Sequence, residues 1–261
     1  LEDHDPNELL NKYNPKIIII SKAFHFNIKN LIIQAKKKQI KIISIFDDWH
    51  FNKTISHKNR LIFNKYIAER SNQIIVKTNA AAKVIKKNIG IEAKIIPDCI
   101  RYKEMEIIKK INYPFNISWF GMHSNHDTIN LSFNEILQTK NKCNINIITN
   151  NVDDLKNSLT MYKNFPNIKY KITQWKKDLD KEIAKSDIVI IPYIDDQIRY
   201  VKSSNRIVDS LNMGRFVIMS KVEQFSEFSN FCYQGNIGNG LNWLKENKTE
   251  ALKQLSLGQK F

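Results

Sequence analysis

The sequence predicts an α/β protein built on two consecutive parallel sheets, and three observations lead there. Short β-branched runs alternate with amphipathic helical stretches along nearly the whole chain of 261 residues. The alternation halts over 99–114, which is charged and lacks a strand pattern, and then begins again. Finally, 186–220 reads strand, polar loop, helix, glycine, strand, the outline of a βαβ unit. Two such sheets with a connection between them make a cleft, and the expected domains are 1–112 and 113–261.

The first half begins with a short helix over 7–14 that ends at Pro15. Residues 17–21 are a β-branched run and therefore a buried strand. Ile28, Leu31, Ile32 and Ala35 recur at helical spacing and predict a helix over 26–38. A strand over 41–46 follows, ending in Asp47-Asp48-Trp49-His50. Next come a basic helix over 57–70, a strand over 73–77, and a helix over 80–88 stopped by Gly90. Residues 94–96 form the fourth strand, closed by Pro97-Asp98.

After the connection, 116–120 reads as a strand ending at Gly121, followed by a polar loop over 122–127. A helix over 128–137, a strand over 144–149 and a helix over 153–162 continue the pattern. The strand over 168–173 ends near Trp175, and a short helix over 179–185 precedes the βαβ unit. In that unit the strand over 188–191 stops at Pro192, and the helix over 205–213 carries Ile207, Val208 and Leu211 on its apolar face. Gly214 ends the helix, and 216–219 is the next strand. A short strand over 232–234 and a helix over 241–255 complete the expectation.

Composition bounds the function. Apolar residues make up 42% of the chain, enough for two cores, and no apolar run approaches the ~20 residues of a membrane-spanning helix. The start, LEDHDPNELL, has neither the basic nor the apolar region of a secretion signal. The expectation is a protein of the cytoplasm or of a cytoplasmic membrane face. Cys99, Cys143 and Cys232 are widely spaced and read as structural thiols, not as a zinc site or a disulfide framework. A net charge of +15 favours anionic partners: nucleotide phosphate, polyphosphate-linked lipid, anionic membrane or nucleic acid. The alternative is a lysine-rich coding bias spread over solvated faces.

In open α/β sheets, ligands sit outside the carboxyl ends of the strands. The polar loop of 186–220 lies there, and Lys202, Ser203, Ser204, Asn205 and Arg206 stand where cations and helix N–H groups hold phosphate. The competing reading is an ordinary polar helix cap. No G-x-x-x-x-G-K-[ST] and no G-x-G-x-x-G after a strand occurs, which argues against kinases and dehydrogenases.

The order of motifs resembles the GT-B fold glycosyltransferases, especially the GT4-like enzymes of bacterial surface-polysaccharide assembly. The matching pieces are KIISIFDDWHF, QIIVKTNAAAKVI and AKIIPD in the first half. In the second they are ISWFG, ITQW, SDIVIIPY and KSSNRIVDSLNMGRFVI. The resemblance implies two Rossmann-like domains facing a cleft, with the amino-terminal one reduced or truncated. It implies transfer of a sugar from a nucleotide diphosphate sugar to a glycan or lipid-linked acceptor, with retention, and with neither metal nor cofactor. Asp209 stands five residues before Gly214, in the place of the family carboxylate that bonds the ribose. The family's earlier Glu falls near Tyr200–Lys202, where no acid stands, and Lys202 fits a K-S-x-N-R variant in which a cation faces the diphosphate.

The remaining candidates follow from position. Gly121 lets backbone approach a phosphate, and His123 in the next loop is a sugar or phosphate contact. His123 with His126 also has the i, i+3 spacing of a metal pair, although no third ligand is evident. Tyr193 lines a sugar pocket, and Trp175 is either near the nucleotide base or a rim tryptophan. Asp48 and His50 follow a buried strand and are the candidate acceptor-side catalytic groups. Otherwise Asp47 caps a turn and His50 is a satisfied surface histidine. Asp178 and Asp180 match a metal-holding D-x-D but read better as a helix cap. Two rival functions remain: a GT-B-like binding protein without activity, and a basic nucleic-acid-binding protein, which leaves 186–220 unexplained.

Overall fold

Strand and helix alternate through both halves of the chain in the computed structural model, which describes residues 5–22, 27–47, 51, 58–163, 165–194, 196 and 199–261. By their internal contacts these form two units: residues 1–98 with 195–203, and residues 99–194 with 204–261.

The first unit opens with helix α1 (Pro6–Tyr13), whose Asp5 cap accepts a hydrogen bond from Asn7 N–H at 3.2 Å. Strand β1 (Ile17–Ser21), helix α2 (Asn27–Lys37), strand β2 (Lys41–Phe46), helix α3 (Lys58–Arg70) and strand β3 (Gln73–Val76) follow. Helix α4 (Asn79–Ile89) and strand β4 (Ala93–Ile95) end the series. Thr78 caps α4 by accepting from Ala81 N–H, and Gly90 closes it in the left-handed conformation at φ 78°. Among the described residues the four strands are parallel and lie in chain order, β1-β2-β3-β4. Ile28 and Ile32 of α2 and Ile85 of α4 pack with Ile42 and Ile74 of the strands into one core. Val201 belongs to this same core, and Thr78 Oγ1 donates to its carbonyl, which ties 195–203 to the first unit.

The second unit begins with residues 99–112, expected as the tail of the first domain. They form no helix or strand yet pack onto the second unit through backbone and side-chain bonds. Met105 N–H donates to Asn212 O, Ile108 N–H to Gly214 O, and Asn212 Nδ2 to Tyr102 O at 2.8 Å. Extended chain satisfied by such bonds carries no periodicity for a sequence to reveal.

Strand β5 (Phe115–Gly121), helix α5 (His126–Leu137), strand β6 (Cys143–Thr149) and helix α6 (Val152–Ser158) restart the alternation. Then come strand β7 (Ile168–Gln174), helix α7 (Leu179–Ile183), strand β8 (Ile188–Ile191), helix α8 (Asn205–Asn212) and strand β9 (Phe216–Met219). The chain closes with strand β10 (Tyr233–Gln234) and helices α9 (Ile237–Glu246) and α10 (Lys248–Lys260). All pairings are parallel, in the order β10-β9-β8-β5-β6-β7. Counted from β5 this is the 3-2-1-4-5-6 order of a dinucleotide-binding sheet, with its switch point between β5 and β8. Its core is dominated by Phe115, Trp119, Phe120, Phe133 and Phe216, all fully buried.

Helix boundaries differ from expectation in three places. The last helix starts four residues earlier, at Ile237, because Gly238 and Gly240 are packing residues and not breakers. A Cβ on Gly238 would lie 2.2 Å from the carbonyl of Glu135 in α5, so only glycine lets the helices approach. The single helix is also two, parted at Asn247, whose Nδ2 donates to Trp243 O at 2.8 Å and competes with the helical backbone. Similarly, the helix expected over 153–162 ends at Ser158, with a separate 3-10 turn over Thr160–Tyr162.

Candidate functional site

The switch point of the second sheet places Gly121, at the end of β5, beside the exit of β8 at Pro192-Tyr193. Chains leaving neighbouring strands toward opposite sides open a crevice there, which is where such sheets take ligands. Gly121 is fixed by packing as well as by position: a Cβ would sit 2.7 Å from the ring of buried Trp119.

Several candidates gather at these strand ends within the second unit. Arg206, in the first turn of α8, directs Nη1 to Phe120 O at 3.5 Å, one residue before Gly121. Trp175 follows β7, donates its backbone N–H to Thr149 O at 2.8 Å, and meets the Phe120 ring edge-on at 6.3 Å. It is half-buried at the rim of the core. His123 is exposed in a 3-10 turn, where its N–H donates to Asn150 Oδ1 at 2.8 Å and its Nδ1 pairs with Asn150 Nδ2 at 3.3 Å. His126 pairs through Nε2 with Thr149 Oγ1 at 2.8 Å. Burial holds the His126 ring below its usual protonation range, and the neighbouring His123 adds to this. Among the described residues no third His, Cys, Asp or Glu joins the pair as a metal ligand.

Helix α8 begins at Asn205, and Ser204 is its cap position, yet the Ser204 side chain makes no capping hydrogen bond. That distinguishes it from Thr78 and Asn236, whose side chains cap their helices. Ser204, Asn205 and Arg206 therefore present a half-buried polar helix start whose positive dipole end suits an anion. Lys202 and Ser203, adjacent in sequence, are counted with the first unit, where Lys202 N–H donates to Arg199 O at 3.0 Å.

Two candidates are held in structural contacts. Tyr193 is buried, with its N–H donating to Ser220 Oγ at 2.9 Å, its hydroxyl accepting from Gln224 Nε2 at 3.3 Å, and its ring edge-on to Phe225. Asp209, expected at the ribose, is 1% exposed and bonded by Arg101. Arg101 Nε lies 2.9 Å from Asp209 Oδ2, Nη2 bonds the same oxygen, and Arg101 N–H reaches Oδ1 at 3.4 Å. Nothing in the sequence marks Arg101 as this partner, 108 residues away.

Asp48 and His50 lie outside the described residues. Their neighbour Asp47 pairs with Lys22 at 3.4 Å, and Asp98 pairs with Lys77 at 3.2 Å, both at the carboxyl ends of the first sheet. Asp178 precedes α7 without a side-chain capping bond, so its expected role as a cap is not taken up.

No family model matches the chain, and no curated protein matches it. Solved structures do. TarM of S. aureus is 16% identical over 98% of this chain, with a TM-score of 0.71, and this chain spans 53% of TarM. Anabaena HepE, solved in complex with UDP and glucose, is 12% identical over 98% of this chain and 75% of its own, at 0.75. Sucrose-phosphate synthase from Thermosynechococcus elongatus is 10% identical over 97% of this chain and 70% of its own, at 0.74. The chain has the GT-B fold. At such identities the likeness is one of backbone architecture, which agrees with the motif order read from the sequence. The GT-B carboxyl-side sheet is the one that carries Gly121, Arg206 and the α8 start.

Proposed function

We propose that the chain is a glycosyltransferase that moves a sugar from a nucleoside diphosphate sugar to a glycan or lipid-linked acceptor. The carrying observation is the switch point of the second sheet, between β5 and β8, with Gly121 and the polar start of α8 beside it. In such a transfer the bond from the sugar C1 to the diphosphate oxygen breaks, and C1 bonds an acceptor hydroxyl oxygen. The acceptor proton passes to a base, the part proposed for Asp48 or His50, and negative charge grows on the departing diphosphate. Arg206 and the α8 N–H groups are suited to stabilise that charge, and Ser204 and Asn205 to orient it. Gly121 admits the diphosphate close to the backbone, with Trp175 and His123 as rim contacts to base and sugar. The K-S-x-N-R sequence pattern supports Lys202 and Ser203 as further diphosphate contacts. Asp48 and His50 stay the proposed acceptor-side groups.

The finer reading is a GT4-like, retaining, metal-independent enzyme of surface-polysaccharide assembly on the cytoplasmic face. Its excess of basic residues suits docking on anionic lipid. No helix among the described residues is long and apolar enough to cross a membrane.

The test is release of nucleoside diphosphate from a panel of UDP-, GDP- and ADP-sugars, with and without a chelator. Chelator-resistant release from one donor is expected, and silence across the panel would sink the transferase reading. A second reading, nucleotide binding without transfer, is favoured by Asp209, since the carboxylate expected at the ribose is buried against Arg101. Nucleotide-dependent thermal stabilisation without any release would select it.

A further inference from the structure

The second sheet carries a pocket, with polar side chains on its floor, that the donor site does not use. Parallel pairing sets Asn116 beside Asn144 and Lys169, and Ser118 beside Asn146 and Lys171, in two in-register rows across β5, β6 and β7. With a side-chain period of two, all six fall on one face of the sheet. Of the residues between them, Ile117 and Ile145 are buried in the core and Tyr170 is half-buried against it. These six residues, with Ile117, Ile145 and Tyr170 between them, line a pocket of about 300 Å³, closed on another side by Glu182 of α7 and by Lys185 and Ser186 just after it. A Rossmann-type sheet ordinarily reads as apolar on both faces, so a polar grid here is a departure that needs a reason.

Two groups in the floor are unsatisfied. Ser118 Oγ is fully buried with no hydrogen-bond partner, and Asn146, 8% exposed, has its Oδ1 bonded by Thr173 while Nδ2 has none. Buried donors without partners are rare because each forfeits its hydration, so a ligand that meets them gains what the free protein lacks. At the β7 edge, Lys169 and Lys171 are exposed cations. Lys185 is paired at 2.5 Å with Glu182, so the pocket keeps a net positive character from Lys169 and Lys171.

We propose that this grid is a second ligand site that takes a monosaccharide phosphate, with the sugar hydroxyls on Ser118, Asn146 and Asn116 and the phosphate on Lys169 and Lys171. The chemistry selects this class: amide and hydroxyl groups suit a polyol, two ammonium groups suit an anion, and the volume is at the small end of ligand pockets. Ser118 precedes Gly121 by three residues, about 10 Å along the strand, so the pocket lies apart from the switch-point crevice. It holds whether or not the chain transfers sugars.

Calorimetric titration of the full chain tests it, using glucose 6-phosphate as the probe, with glucose, inorganic phosphate and UDP as comparisons. Glucose 6-phosphate is expected to bind at about 1 mM or tighter, and more tightly than either glucose or phosphate. UDP should leave that binding unchanged. The Lys169→Ala/Lys171→Ala variant, altered only at exposed positions, should weaken it about tenfold or more. Ser118→Ala should weaken it as well, with the fold checked by circular dichroism. No binding, affinity no better than that of inorganic phosphate, competition by UDP, or an unchanged double-lysine variant would each overturn the proposal.

Discussion

Arg101→Met removes the cation from the most buried ion pair among the described residues, and the geometry sets the size of the effect. The Asp209 side chain is 1% exposed, whereas Arg101 is 38% exposed. Removing the cation from beside a fully buried carboxylate costs up to about 3–5 kcal/mol, because the charge keeps its desolvation penalty and loses its main compensation, although the backbone N–H of residue 101 stays in place. Solvent on the arginine side lets water replace part of the lost contact, which reduces the expectation to about 2–3 kcal/mol. For a unit of this size that is a fall in Tm of about 4–12 °C. The converse change, Asp209→Asn, leaves a partly solvated arginine and a neutral isostere, and should cost only about 1 kcal/mol. Urea melts of both single variants and the double variant give the coupling, which should reach about 1 kcal/mol or more. A loss under about 0.5 kcal/mol for Arg101→Met, with additive changes, would refute the assignment of Asp209 as a structural anchor.

Further predictions separate packing from chemistry. Gly214→Ala should destabilise by about 3 kcal/mol, because φ is +67° and the new Cβ would lie 2.5 Å from Glu106 O. Gly90→Ala, at φ +78° with open space around it, should lose only about 1–2 kcal/mol in the same urea melts, and equal losses would contradict the distinction. Burial pushes the Cys143 and Cys232 thiols up to about 12, so an aromatic disulfide reagent should label exposed Cys99 in the native protein and the other two only on unfolding. His126 is protonated less readily folded than unfolded, so the unfolded chain binds more protons as pH falls below the ordinary value of 6.5. Its share of stability is whole above that value and declines below it. Thermal melts across pH 5–8 should show a shallower decline for His126→Gln, and an identical slope would contradict the reading.

The isoleucine-rich strands were legible because β-branched runs between turn residues have few other uses, and β2, β8 and β9 start and stop where the sequence places them. Strand order was not legible, since periodicity says which residues form a strand and nothing about its neighbour. The start of α9 was not legible, because Gly238 and Gly240 carry no side chain to mark a helix face and their fit against Glu135 O and Ile218 depends on distant segments. Segment 99–112 had no pattern because its bonds run to Asn212, Gly214 and Gln259, far away in sequence. In the candidate site, the strand-end position of Gly121 and the polar start of α8 could be placed from local order alone. The lock on Asp209 could not, because its partner arrives from another segment. The same holds for the polar grid, in which each strand contributes an ordinary alternating pattern and only the pairing brings the rows into register.

On the proposed function, the second unit binds a nucleoside diphosphate at the switch point between β5 and β8. Calorimetric titration of the full chain with UDP, GDP and ADP tests it most directly, repeated on Arg206→Ala. Saturable binding of one of them is expected, weakened about tenfold or more by the substitution, through loss of a charge-assisted bond. Absence of binding by all three, or an Arg206→Ala variant that binds as the wild type does, would contradict it.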